Sequence, residues 1–313
     1  MYKFGAITID VSHPKRFSET LLQDDRARYT AVFNDGFRGD DEVEAFAEIN
    51  NLTICSTLDE LADQVDLAFL HACNWDKHLQ YLQPFIERGK PVFVDKPLVG
   101  NLADARKLLD LSKAGAKIIG TSALRYADDV LAAKSTISEK GSKIMHVDVS
   151  VGVDDFNYAI HALEEICTLI DSKPVSVKFV GNAKSGEEVC DTYFISFEGG
   201  ETACYHNFLK RQCQFHTIIL TDKGGDTAFT VDGLNFYNCL MNQVCNYIEG
   251  KENILASVED MLVPITLALA CKASKLSNGE AISLDDPRLE DVSFDGYEFE
   301  RAYAAKAAKL FVK

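Results

Sequence analysis

Two halves of different rhythm predict an α/β protein. The expected fold is an N-terminal doubly wound parallel sheet of Rossmann type, followed by an α+β domain with a mostly antiparallel open sheet. Over the first 124 residues short apolar strands alternate with helical segments, a rhythm that winds a parallel sheet between two helical layers. Beyond residue 125 strand-like runs follow one another, with Gly199-Gly200 and Gly224-Gly225 at hairpin turns. A chain of 313 residues holds two cores, so the expected domains are residues 1–124 and 125–313.

In the first half, Phe4 to Ile9 is an apolar strand, and Ser12-His13-Pro14 starts a helix with Ser12 as cap and Pro14 in the first turn. Tyr29 to Phe33 is a second strand ending at Asn34-Asp35; Asp41 to Ile49 is helical and Leu52 to Cys55 a short strand. Leu58 to Gln64 gives a helical turn or two, and Val65 to Leu70 a fourth strand. Asp76 to Arg88 is amphipathic through Leu79, Leu82, Phe85 and Ile86, and Gly89 ends it. Val92 to Val94, β-branched and aromatic, suits a strand buried on both faces, and it empties into Asp95-Lys96-Pro97. Pro97 restrains Lys96 to extended backbone, so the lysine is aimed from the carboxyl end of a parallel strand, where open α/β sheets bind ligands. Asn101, with Asp104 three residues on, caps the next helix, and Lys117 to Thr121 is a sixth strand.

In the second half Ala127 to Lys140 and Ala159 to Ile170 are helical, and His146 to Val153 alternates as a strand. Val175–Val180, Thr192–Phe197, Thr202–Phe208, Phe215–Thr221 and Thr227–Val231 are further strands. Phe236 to Ile248, Val258 to Leu276 and Tyr297 to Phe311 are helices, the second stopped by Asn278-Gly279. The last packs either across the first domain or into a dimer contact.

A formal charge of −16 argues against non-specific binding to nucleic acid or anionic membrane. No apolar run nears the roughly 20 residues that span a bilayer. Nine scattered cysteines without a Cys-x-x-Cys pair read as reduced thiols, and Met1 leads straight into a strand, so a cytoplasmic protein without a targeting segment is expected. No Cys/His spacing indicates a metal site; Cys204-Tyr-His206 reads as packing. Gly-x-Ser-x-Gly is absent.

Asp95-Lys96-Pro97, Thr121-Ser-Ala-Leu-Arg-Tyr126, Ala159-Ile-His-Ala-Leu-Glu164 and Ala72-Cys-Asn-Trp-Asp-Lys-His78 together resemble the Gfo/Idh/MocA family, the glucose–fructose oxidoreductase and inositol dehydrogenase group. They match its Glu-Lys-Pro, its strand leading into Arg-Phe or Arg-Tyr, a variant of Gly-x-His-x-x-Asp, and its Ala-Thr-Pro-Asn-x-x-His loop. The likeness spans nearly the whole chain.

The resemblance implies NAD or NADP on the first domain and hydride transfer to or from a carbinol carbon of a sugar, inositol or similar polyol. It makes Lys96 and His161 the catalytic pair, with His161 a base of near-neutral pKa and Lys96 a donor to the alkoxide. Lys96, Tyr126, Asn157, Tyr158 and His161 are expected around the substrate, with Asn157 where the family usually has Asp. The expected cofactor contacts are Thr8, Ile9, Asp10, Ser12, His13, Asn34, Asp35, Arg38, Ala72, Cys73, Asn74, His78, Asp95, Lys96 and Arg125. The loop Thr8–His13 carries none of the glycines that let a backbone approach a pyrophosphate; Ser12, a helix N-terminus, Lys15 and Arg16 stand in their place, and Asp10 would repel a phosphate that it faced. Asp35 on the ribose favours NAD, whereas Asn34 with Arg38 takes the extra phosphate of NADP; the balance leans to NAD. Three functions stay open: a polyol oxidoreductase, an enzyme that hides its redox step on tightly held NAD, and a cofactor-free member that binds a ligand or partner without redox activity. A homo-oligomer, dimer or tetramer, through the C-terminal sheet is expected.

Overall fold

The first sheet forms because its strands offer apolar side chains to both faces. The computed structural model describes residues 1–233 and 235–311. In it β1 (Tyr2–Ile7), β2 (Ala27–Phe33), β3 (Thr53–Ile54), β4 (Leu67–Leu70), β5 (Val92–Val94) and β6 (Ile118–Gly120) are parallel, in the order β3-β2-β1-β4-β5-β6. Every residue of β4 and β5 is buried, each large side chain contributing about 1.5–3 kcal/mol of transfer free energy. The order reverses between β1 and β4, and a doubly wound sheet binds ligands at the carboxyl ends there.

The helices of this half are α1 (His13–Leu21), α2 (Asp40–Asn50), α3 (Leu58–Gln64), α4 (His78–Glu87) and α5 (Leu102–Lys113). The side chain of Asn101 accepts the Asp104 N–H at 2.8 Å, as expected, and that of Thr57 accepts the Glu60 N–H, whereas Ser12, the expected cap of α1, makes no side-chain capping bond. On α1, Phe17 packs edge-on against Phe69 and Phe93. This sheet and its helices group with Leu240–Glu259 and with the stretch from Asp295 onward in one compact unit.

Ser122–Cys239 and Asp260–Phe294 form the second unit. The remaining elements of the chain are α6 (Asp128–Glu139), β7 (Ile144–Gly152), α7 (Ala159–Leu169), β8 (Pro174–Ser185), β9 (Glu188–Phe197), β10 (Thr202–Phe208), β11 (His216–Thr221), β12 (Thr227–Thr230), α8 (Phe236–Ile248), α9 (Val258–Leu276), β13 (Ile282–Ser283) and α10 (Gly296–Ala304). The sheet runs β12-β11-β7-β10-β9-β8-β13, with β7 and β10 parallel and the other pairs antiparallel. Its strands alternate: Val147, Val149 and Val151 are buried towards α7, while His146, Asp148 and Ser150 face the other way, half-buried.

Three elements differ from expectation. The β8–β9 hairpin runs on to Ser185 and Glu188, although Gly181 to Glu188 is polar, because the ladder continues from Asn182↔Asp191 to Ser185↔Glu188. The two-residue strand β13 carries too short a pattern to read. The last helix ends at Ala304 rather than Phe311, since the chain beyond it bonds to side chains of the first unit: Ala308 O accepts from Arg38, and the Leu310 N–H donates to Glu42. The Phe311 ring lies tilted against Phe46, with centroids 4.8 Å apart. No described helix is long and apolar enough to cross a membrane.

Candidate active site

Lys96 leaves β5 on a buried polar network. Asp95, 3% exposed, accepts its own neighbour's N–H, that of Lys96, at Oδ1 (2.8 Å). Its Oδ2 lies 2.5 Å from His13 Nδ1 and 3.1 Å from His71 Nδ1. His71 Nε2 meets the Tyr29 hydroxyl at 2.9 Å. Burial pulls His71 below the ordinary histidine range, so the neutral ring donates from Nδ1 to Asp95 and accepts at Nε2 from Tyr29. Burial alone would raise the Asp95 carboxyl, but the His13 charge and the two histidine hydrogen bonds hold it well below the usual carboxylate range. The residue before Lys96 is therefore a fixed anion, and the lysine itself is half-buried.

At the end of β1 the backbone of Thr8 is left-handed, φ 57°, a conformation a β-branched residue rarely takes and the one that a glycine of a phosphate-binding turn supplies freely. Its hydroxyl is buried without a hydrogen-bond partner. Ile9 is fully buried, and Ser12 is exposed at the N-terminus of α1 without capping it. Asp10 does not face outward: it is 1% exposed, and its carboxylate accepts the N–H groups of Phe37 (3.2 Å) and Cys73 (3.1 Å). Gly36 makes room for it, because a Cβ there would stand 1.9 Å from Asp10 Oδ1. Burial, aided by the nearby Glu300, pushes Asp10 up to about 6. The turned-in carboxylate, the left-handed Thr8 and the exposed Ser12 at a helix start make the loop compatible with a dinucleotide phosphate.

At the end of β2, Asn34 ties the loop together, accepting the Ile9 N–H and donating to Arg38 O. Asp35 accepts the Tyr81 hydroxyl at 2.5 Å. Arg38 is 5% exposed: Nε and Nη2 donate to Asp10 O, and Nη1 to Glu42 and Ala308 O. Beyond β4, Ala72, Cys73 and Asn74 are buried. Asn74 turns to α10, where it donates to Glu300 (3.0 Å), and Lys77 donates to the same carboxylate. His78 is 1% exposed, with Nδ1 2.8 Å from Leu98 O and Nε2 2.9 Å from Ala72 O, so it joins the β4 and β5 exits.

In the second unit α7 carries His161. The loop ahead of it is shaped by Val153, another left-handed β-branched residue (φ 84°), and by Asp154, whose Oδ1 accepts the N–H groups of Phe156 and Tyr158. His161 is 8% exposed; its Nδ1 lies 2.7 Å from Ser122 Oγ, which also accepts the Leu124 N–H. Phe215 and Tyr158 flank the ring edge-on. Ser122 Oγ holds the imidazole by its Nδ1 edge. Asn157 and Tyr126 are buried and Tyr158 half-buried. Arg125 donates from Nε to the fully buried Glu164 at 2.6 Å, so both its charge and its fork are engaged within this unit. Ser122 went unread although it lies inside the Thr121–Tyr126 match, because the signal there rested on Arg125 and Tyr126.

The comparisons with known proteins agree with this architecture. A family model described as "Oxidoreductase family, NAD-binding Rossmann fold" matches residues 14–122, from just after the divergent loop through the last parallel strand. Over these residues the chain is similar to the Gfo/Idh/MocA oxidoreductase family. It is 28% identical over 181 residues to the inositol 2-dehydrogenase of Klebsiella pneumoniae (strain 342), covering 52% of this chain and 54% of that protein. The chain thus spans about half the length of the curated relatives it matches. Among solved structures, the Lactobacillus casei myo-inositol dehydrogenase in complex with NAD(H) and myo-inositol superposes with a TM-score of 0.73 at 16% identity, covering 93% of this chain and 99% of that one. The apo scyllo-inositol dehydrogenase of the same organism gives 0.76 at 13% identity, covering 91% and 98%. At such identities the structures share the fold.

Proposed function

We propose that the protein is an NAD(P)-dependent oxidoreductase acting on a secondary alcohol, or the matching ketone, of a sugar, inositol or related polyol. The observation that carries the proposal is His161, nine-tenths buried and held at Nδ1 by Ser122. Lys96, on its Asp95 anchor, supplies the cation such chemistry requires. The nicotinamide, when bound, accepts or returns the hydride. His161 takes the hydroxyl proton at Nε2 in oxidation and gives it back in reduction, and the Lys96 ammonium donates a hydrogen bond to the oxygen as its charge develops. Inositol, named for the relatives in the comparisons, is the first substrate to try.

Arg38 supports NAD over NADP. Its guanidinium is committed to Asp10 O, Glu42 and Ala308 O, which leaves Asp35 as the polar group of the β2 exit suited to ribose hydroxyls. The exposed Ile218 and Leu220 on the outer face of the second sheet support a homo-oligomer through that sheet.

Titration with NADH and NADPH, followed by nicotinamide fluorescence, tests the cofactor. A polyol and keto-sugar screen with Lys96→Ala and His161→Ala as controls tests the chemistry. Saturable NADH binding, with turnover lost in both variants, is expected. No binding at millimolar cofactor by the folded protein, or full turnover in His161→Ala, overturns the proposal.

A further inference from the structure

The outer face of the second sheet gathers four side chains that hydride transfer does not use. His146 and Asp148 stand two apart on β7, Cys204 and His206 two apart on β10, so all four project from one face. The parallel register sets Asp148 directly beside Cys204. His146 Nε2 is 3.4 Å from Asp148 Oδ2, and His206 Nε2 is 3.5 Å from Asp148 Oδ1. A ring nitrogen of His146, a carboxylate oxygen of Asp148 and Cys204 Sγ all lie within 4.8 Å of one another.

These separations exceed the about 2.7–2.9 Å of a charge-assisted hydrogen bond. They fall near the about 3.3–3.8 Å edges of a tetrahedron whose corners lie about 2.0–2.3 Å from a zinc ion. Each imidazole is also held from behind: His146 Nδ1 by Thr202 Oγ1 at 2.7 Å, and His206 Nδ1 by Thr192 Oγ1 at 3.1 Å. A hydrogen bond at the far nitrogen is the usual device that orients a metal-binding histidine. In the single chain the side chains are open to solvent by 21% at His146, 31% at Asp148 and 39% at His206, so an ion can enter before a second copy covers this face.

We propose that His146, Asp148 and Cys204 bind a divalent cation of the zinc class, with His206 beside the same carboxylate. One imidazole, one carboxylate and one thiolate form a borderline-soft set that favours zinc or cobalt over calcium or magnesium. On binding, the Cys204 thiol releases its proton to solvent. Three protein ligands leave the fourth position of a tetrahedron to water. The ion would bridge β7 and β10, hydrogen-bonded parallel neighbours whose chain connection runs through α7 and the β8–β9 hairpin.

The test uses the full-length, tag-free protein stripped of metal, titrated with cobalt(II) and followed by absorption, with zinc affinity measured against a chromophoric chelator. One cobalt per chain is expected, with a thiolate-to-cobalt charge-transfer band and the visible bands of tetrahedral coordination. Cys204→Ser removes the charge-transfer band and Cys213→Ser leaves it. His146→Gln weakens zinc at least about tenfold, and metal-free melting curves confirm that each variant is folded. No thiolate band at one equivalent, a band that survives Cys204→Ser, or zinc affinity unchanged in His146→Gln overturns the site.

Discussion

His13 Nδ1 lies 2.5 Å from Asp95 Oδ2, which ties the β1–α1 loop to the residue just before Lys96. The partners are 13% and 4% exposed at their side chains, so the contact has little water to replace it. His13→Ala leaves a buried carboxylate with His71 as its remaining histidine, and a loss of about 2–4 kcal/mol of unfolding free energy is expected, near the cost of breaking a buried pair. Urea unfolding at neutral pH measures it. A change below about 0.5 kcal/mol, the scale of an ordinary surface substitution, would show that the network stands without His13.

Asp10 predicts a pH effect of definite sign. Its folded value of about 6 lies above the ordinary 3.8, so the folded state holds the proton more tightly. Its contribution is complete below the unfolded value and is lost as pH rises through the folded one. From about pH 5 to about pH 8 this group should withdraw about 1 kcal/mol of stability. Asp10→Asn removes that slope. Glu165, pushed up to about 7 by burial, slopes the same way in both proteins, so the difference between the two pH profiles isolates Asp10. Identical profiles would mean that Asp10 is not the buried acid described above.

Arg125 and Glu164 predict a non-additive pair. Glu164 has no exposed surface and takes the Arg125 Nε–H at 2.6 Å. Arg125→Ala strands a buried carboxylate, at an expected cost of about 3–5 kcal/mol. Arg125→Met with Glu164→Gln removes both charges and should recover most of that loss, since apolar replacement of a whole buried pair is often neutral. Additive losses in thermal or urea unfolding would place the two residues in separate networks.

Local pattern made the parallel sheet legible: a strand buried on both faces must be apolar at every position, as β4 and β5 are. The Asn101 cap could be read because its partner, Asp104, is three residues away. The His13–Asp95 contact spans 82 residues, and no local pattern records such a distance. Direction was hidden as well. Arg38 reads as a phosphate ligand from its place after β2, yet its guanidinium turns inward to Asp10 O and Glu42. Asp10 itself turns into the protein because Gly36 leaves the space. The outer-face quartet escaped for a related reason. Cys204 and His206 share one strand and look like packing, and only the parallel register brings His146 and Asp148 beside them.

Ser122 should act on turnover through His161. The hydroxyl lies 2.7 Å from Nδ1 and never needs to touch the reacting carbon, so it positions the ring. Ser122→Ala should fold normally and keep its affinity for NADH. Its kcat should fall about 10- to 100-fold, within the range that general acid–base catalysis contributes, while His161→Ala falls further. Combining the two substitutions should cost little more than His161→Ala alone, because residues that act as a unit are not additive. A threonine at 122 restores the hydroxyl and should recover part of the rate. The kcat–pH profile separates positioning from simple loss of packing: the limb assigned to the base should move in Ser122→Ala and return with Ser122→Thr. A profile that keeps its shape while kcat falls would leave Ser122 as a structural neighbour of His161 and nothing more.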